Sequence, residues 1–160
     1  MTDNQQIDVV TLRMGGERIA IPAILLREIM EPVRVTRVPT ANAFAEGLIN
    51  VRGSVVPLTD LRVPFCMPAA DATPDTRFIV LDLTIDDAPV TVAISADKVD
   101  TVTPLDPDQI DPIPEVGTPW PPDYVRGICR LGGEFVLLPD LHRIFQDFSA
   151  FGDHRKDFSK

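Results

Sequence analysis

This chain of 160 residues is short of histidine, cysteine and long apolar runs, and each shortage removes a class of function. Its histidines are His142 and His154 alone. One falls in a closing helical segment and the other in the tail, so no imidazole pair stands ready to hold a metal or carry a proton. The patterns HExxH, CxxC, GxSxG and the phosphate-binding P-loop do not occur. Gly15-Gly16 and Gly132-Gly133 are followed by strand patterns rather than by a helix start, so they read as hairpin turns and not as phosphate cradles. Cys66 and Cys129 are far apart in sequence and are expected to stay free thiols. No apolar run approaches the ~20 residues of a membrane-spanning helix. The opening MTDNQQIDVV has neither the basic region nor the apolar core of a secretion signal. These shortages point to a binding protein of the cytosol, with no catalytic residue, metal or cofactor.

Positive charge is also scarce, with 15 Lys and Arg against 24 Asp and Glu. The surplus is local. Residues 71–116 hold eleven acids and two bases, which accounts for the whole net charge of −9, and the flanks balance. Nucleic acid and anionic membrane reward clustered Lys and Arg, so neither is an expected partner. The stretch reads either as a solubility feature or as an acidic face for a basic partner. Hydrophobic residues make up 44% of the chain. At this length folding buries on the order of 70% of the unfolded surface without staples.

What the chain has in quantity is strand pattern. VVTLRM (9–14) and RIAIP (18–22) alternate around Gly15-Gly16, which predicts a hairpin. AILLREIM (23–30) suits one or two helical turns ended by Pro32, and VRVTRVP (33–39) alternates as a strand. Strands at 47–52 and 55–59 flank a turn at Gly53-Ser54, and Asp60 is placed to cap a short helix cut off by Pro64. RFIVLDLTI (77–85) and PVTVAIS (89–95) flank Asp86-Asp87-Ala88, and VDTVTPL (99–105) is a further strand. Seven of the sixteen prolines fall in 104–122, a stiff crossover expected to carry strands of one half to the other. A hairpin at 124–139 follows, then a helix capped by Asp140 and running to about Phe148. The expected class is all-β: two intertwined five-strand barrels sharing one apolar seam, with short connecting helices and a C-terminal helix.

Two stretches repeat. GLINVRGSVVPLTDLRVPF (47–65) aligns without a gap on GICRLGGEFVLLPDLHRIF (127–145). A duplication is an internal control, because residues shared by both copies are explained by the shared fold. Val56/Val136 and Leu58/Leu138 fit a barrel interior, Asp60/Asp140 fit caps, and Leu61/Leu141 and Phe65/Phe145 fit packing. Cys129 aligns with Ile49 and is expected to be a small buried apolar residue. His142 replaces Arg62, which reads as helix surface. Arg52 lies over Gly132, so the hairpin itself does not require a guanidinium. Arg52 is either a partner anchor or a turn residue, solvated or paired to Glu46 or Asp60.

Five blocks carry a family resemblance: GGERIAIPAILLREI, VTRVP, EGLINVRGSVVPLTDLR, PDQIDPIP and YVRGICRLGGEFVLLPDL. In order and spacing they resemble the chemotaxis coupling protein (CheW) family over residues 8–146, read as one domain with 147–160 a loose tail. The resemblance implies two SH3-like barrels on a shared hydrophobic core. It also implies a scaffold without catalysis, which bridges the cytoplasmic tips of transmembrane chemoreceptors to the regulatory domain of the histidine kinase CheA within receptor arrays. In that family the receptor's helical hairpin docks in a groove between the barrels. Matching the motifs places Leu26, Glu28, Gly47, Arg52, Phe78 and Val102 on receptor-binding positions. For Leu26 and Phe78, ordinary core packing is an equal reading. No residue is assigned to the kinase. A second function stays open, that of a stand-alone regulator of the same fold binding only receptor or only kinase and limiting array assembly. Pro64, the many prolines and the acidic stretch depart from the family pattern and suit a divergent pathway.

Overall fold

The computed structural model describes residues 6–38, 44–114 and 120–148. Its strands are β1 (Ile7–Met14), β2 (Glu17–Pro22), β3 (Leu26–Met30), β4 (Ala45–Val51), β5 (Ser54–Thr59), β6 (Arg77–Ile85), β7 (Ala88–Ala96), β8 (Lys98–Leu105), β9 (Val125–Leu131) and β10 (Glu134–Pro139). One α-helix, α1 (Leu141–Asp147), follows β10. Asp140 caps it as expected, its Oδ1 accepting the Arg143 N–H at 3.0 Å.

Four hairpins turn on two residues each, at 15–16, 52–53, 86–87 and 132–133. In every one both residues have positive φ, the turn geometry whose twist matches that of the flanking strands. The second turn therefore falls one residue earlier than Gly53-Ser54, on Arg52 (φ 51°) and Gly53.

The strands form two five-stranded sheets, ordered β8-β1-β2-β10-β9 and β3-β6-β7-β5-β4. The second order is the first with each strand replaced by its repeat partner. The one parallel contact recurs as well, β2 with β10 and β7 with β5. Each sheet takes its first hairpin from one half of the chain and its other three strands from the other half. The expected intertwining is present, but the proline-rich segment does not make it. The chain crosses between sheets at Ala23–Leu25, from β2 to β3, and at Asp97, from β7 to β8. The proline-rich stretch instead links β8 to β9, the two edges of one sheet.

Three further expectations are corrected. Residues 23–30 form a single 3₁₀ turn (Ala23–Leu25) and then strand, because Leu26 and Glu28 to Met30 pair along β6 rather than coiling. Of VRVTRVP, residues 33–38 make only an isolated bridge, Thr36 to Leu48, and Pro39 lies outside the described residues. Residues 61–66 are turns and not a helix, since Pro64 has no N–H to continue one. The mostly-β class with two five-stranded units is as expected, and among the described residues no ladder joins β3 to β4 or β8 to β9 to close either sheet. The segments running between those edges are pinned by twin bridges instead, Thr36 to Leu48 and Asp111 to Ile128.

The apolar interior has three parts. Ile49, Val51, Val56, Leu58, Phe78 and Val80 fill the β3–β7 sheet. Val9, Leu105, Cys129, Val136 and Leu138 fill its counterpart. Between the sheets a larger cluster joins Leu12, Ile19 and Ile21 of one to Ile79, Leu81 and Ile94 of the other. Leu61, Phe65, Leu141 and Phe145, the repeated residues after each second hairpin, are buried there. Each sheet alone would expose that seam to water. Cys129 is buried and free, and burial pushes its thiol pKa up.

Candidate partner-binding surface

Of the six residues singled out by motif, two are brought into contact. β3 carries a bulge between Leu26 and Glu28, so Leu26 stands opposite Leu81 toward the shared core and Glu28 opposite Val80 on the other side, both at partial burial. The turn after β4 carries Arg52, and its Nε donates to Glu28 Oε1 at 2.8 Å. The Arg52 side chain is 81% exposed and that of Glu28 23%. The hydrogen bond to Glu28 raises the arginine pKa still further. β3 and β4 are opposite edges of one sheet, so this pair spans the opening that no backbone ladder closes. Arg52 thus has neither Glu46 nor Asp60 for its partner. Nothing local to the sequence revealed the pairing, because the curl of the sheet brings Glu28 and Arg52 together across 24 positions.

Gly47 is buried where the 31–38 segment crosses β4. A Cβ there would sit 2.5 Å from the Thr36 carbonyl oxygen and 2.9 Å from Val35 Cγ1. Its repeat partner Gly127 is in the same situation, 2.6 Å from the Asp111 carbonyl oxygen and 2.6 Å from Ile110 Cγ2. The repeat therefore explains both glycines as close-approach points beneath the twin bridges.

Phe78 is 6% exposed and packs with Val56 and Leu58 inside its sheet, opposite Met30 of β3. Leu26 pairs with Leu81 and its side chain leans on the shared core. Val102 lies on β8 of the other sheet, pairs with Val10 and is 57% exposed. When the β1–β2 and β6–β7 turns are superposed, Val10 falls on Leu81. Leu26 and Val102 are thus equivalent positions of the two sheets.

Sequence reasoning missed Arg62. It was read with His142 as helix surface, and His142 is indeed exposed on α1. Arg62 is 4% exposed. Its guanidinium holds the Asp97 carboxylate and lies 3.6 Å from Asp60 Oδ1. Asp97 also accepts the Gly15 N–H at 2.9 Å, so one residue ties the crossover to the β1–β2 turn and to the segment after β5. The usable signal was Pro64, which stops the helix and frees residue 62 to turn inward. Nearby, burial and then the Asp60 charge raise the Glu46 carboxyl above the ordinary range. Part of the acidic surplus is answered by cations outside its stretch: Asp82 by Arg27, Asp97 by Arg62, and Asp100 by Arg13 and Arg18.

No cluster of three or more His, Cys, Asp or Glu suited to a metal occurs among the described residues. No helix there is long and apolar enough to cross a membrane.

Comparison with known proteins gives one answer. The family profile described as CheW-like domain matches residues 8–149. The chemotaxis protein CheW of Klebsiella aerogenes is 32% identical over 143 residues, covering 89% of this chain and 82% of that one. CheW of Treponema pallidum is 24% identical over 145 residues, covering 89% and 84%. Among solved structures, the scaffolding protein TtCheW of Thermoanaerobacter tengcongensis superposes with a TM-score of 0.78 at 26% identity, covering 89% of this chain and 90% of that one. With a profile match over nearly its whole length and a relative above 30% identity, the chain belongs to the CheW-like family of chemotaxis proteins.

Proposed function

We propose that this adaptor of chemotaxis signalling couples the cytoplasmic tip of chemoreceptors to the regulatory domain of the histidine kinase CheA, at receptor arrays on the cytoplasmic side of the membrane, without catalysis of its own. The observation that carries the reading is Arg52. A residue with a Cβ held at φ 51° is strained, and the equivalent turn uses Gly132 at φ 60°. The repeat has glycine at this place and here the sequence supplies a bulky arginine, which a contact outside the chain explains. Glu28 fixes the guanidinium in place and leaves its remaining donors facing solvent, a preorganised fork for a polar anchor on a helical tip. Leu26 lies on the same edge strand as Glu28, its side chain set against the shared core. Phe78 supports β3 from inside, Gly47 lets the 31–38 segment sit down on β4, and Val102 extends the surface onto the second sheet.

The test is a pair of titrations of the whole chain by calorimetry, one with a soluble receptor-tip hairpin and one with the isolated kinase regulatory domain. The coupling role requires both to bind and a ternary complex to form. Binding of one alone would leave the stand-alone regulator. Binding of neither would remove both readings.

A further inference from the structure

The two sheets are built alike, and in one place the likeness fails. In the first, β8 runs beside β1 from Ile7 opposite Leu105 to Arg13 opposite Lys98. In the second, β3 accompanies β6 only from Phe78 to Leu81, while β6 continues to Ile85. Beyond Leu81 that edge has no ladder partner among the described residues. Superposing the turns puts Thr84 on Arg13. Thr84 lies opposite Pro89, which has no N–H to give. In an antiparallel hairpin alternate residues turn their N–H and C=O away from the partner strand, and Thr84 is one of these. Its polar backbone therefore faces the open side, and the residue is exposed.

In the first sheet the chain fills the equivalent place itself. The Asp97 N–H donates to the Arg13 carbonyl oxygen at 2.9 Å, and its carboxylate takes the Gly15 N–H and the Arg62 guanidinium. β8 then continues along the edge from Lys98. In the second sheet the 3₁₀ turn at Ala23–Leu25 diverts the chain, and a cleft of about 290 Å³ is left between the β6 edge and the start of α1. Its walls include Leu25, Leu83, Ile85 and Leu141, and its basic residues are Arg126 and His142, the residue that aligns with Arg62. The acids lining it are engaged: Asp82 with Arg27 and Thr91, Asp140 with the Arg143 N–H. No ion pair engages Arg126 among the described residues.

We propose that this cleft receives an extended segment of a partner protein, which adds to the Asp82–Ile85 edge as a short antiparallel strand and sets an acidic side chain against Arg126 and His142. The chain's own Asp97-Lys98-Val99 shows the fit: a carboxylate at the entry, then alternating residues paired along the edge. Main-chain hydrogen bonds supply affinity and the charged entry supplies register. The inference stands on the edge geometry and needs neither receptor nor kinase.

The probe is a synthetic peptide copying residues 96–103, titrated into the isotope-labelled full chain and followed by amide chemical shifts. Saturable shifts at Asp82–Ile85 and at Leu141–His142 are expected. A peptide with Asp97→Ala should bind about tenfold more weakly, the scale of a charge-assisted hydrogen bond. Thr84→Pro, which removes the outward N–H at an edge position that tolerates proline, should abolish the shifts. Arg126→Glu should weaken binding without touching the strand. Absence of shifts at β6, or shifts indifferent to both protein variants, would overturn the proposal. So would the same amides moving on dilution, which assigns the edge to a second copy, or on removal of residues 149–160, which assigns it to the chain's own end.

Discussion

The two second hairpins of the repeat, β4–β5 and β9–β10, share a turn geometry and little of what surrounds it. At Gly132-Gly133 the left-handed backbone is taken by glycines, and polar ties come from β1 and β2, where Arg13 and Arg18 both reach Glu134. At Arg52-Gly53 the polarity is reversed. The hairpin carries the cation, and the acid, Glu28, comes from an edge strand. The first arrangement closes on itself, with the arginines shared between Glu134 and Asp100. The second leaves an arginine mostly in water on a strained backbone. A duplicated fold thus separates what a hairpin needs from what one copy has been given in addition.

The largest effect tests whether the sheets can be separated at all. Because each sheet takes strands from both halves, a fragment of residues 1–66 lacks β8–β10 for one sheet and β6–β7 for the other. It should show no cooperative thermal transition. A soluble fragment with a sharp melting curve would break the shared-core description.

Next comes the aligned pair Arg62 and His142. Arg62→Ala leaves the Asp97 carboxylate half-buried without its cation and should destabilise by roughly 3 kcal/mol, at the low end for a broken buried pair. His142→Ala changes an exposed helix position and should stay within about 0.5 kcal/mol. Chemical denaturation of the two variants reads the difference. Equal losses would mean that the sequence-based view of both as surface was right.

Gly47→Ala and Gly127→Ala should each lose about 1–3 kcal/mol, the usual range for forcing atoms into a packed site, and by similar amounts. If Gly47→Ala alone retains its stability, the close approach to Thr36 is not what holds that glycine. Smaller again is Glu46→Gln. Burial raises the Glu46 carboxyl in the folded protein, so its ionisation opposes folding above the ordinary glutamate range. The variant should melt slightly higher near neutral pH, with the gain vanishing below roughly pH 4. A gain that persists in acid would point to packing instead of charge.

Much of this was legible in the residues. Alternation located the hairpins, and the gapless repeat identified the buried Leu61/Leu141 and Phe65/Phe145 pairs and the Asp140 cap. Failures came where a short segment had two local solutions. LLREIM has helical spacing, yet β6 offers it an edge, and strand pairing won. The proline-rich segment looked like the crossover because it is long, whereas a crossing needs only Asp97 or three residues of 3₁₀ turn. The site was half legible. Motif resemblance pointed to Glu28 and Arg52 separately, but only the curl of the sheet makes them a pair, and the inward turn of Arg62 depends on partners 35 residues away.

The most direct test of the account is Arg52→Gly, which copies the turn of the other hairpin. Stability by chemical denaturation and affinity for a soluble receptor-tip hairpin should be measured on the same preparation. Glycine relieves the left-handed strain, and an exposed ion pair contributes little, so stability should hold or rise by up to about 1 kcal/mol. Receptor-tip affinity should fall by roughly 1–3 kcal/mol, as for other charged interface anchors. A variant that is less stable and binds the receptor tip as before would show that Arg52 serves the fold, and would contradict the account.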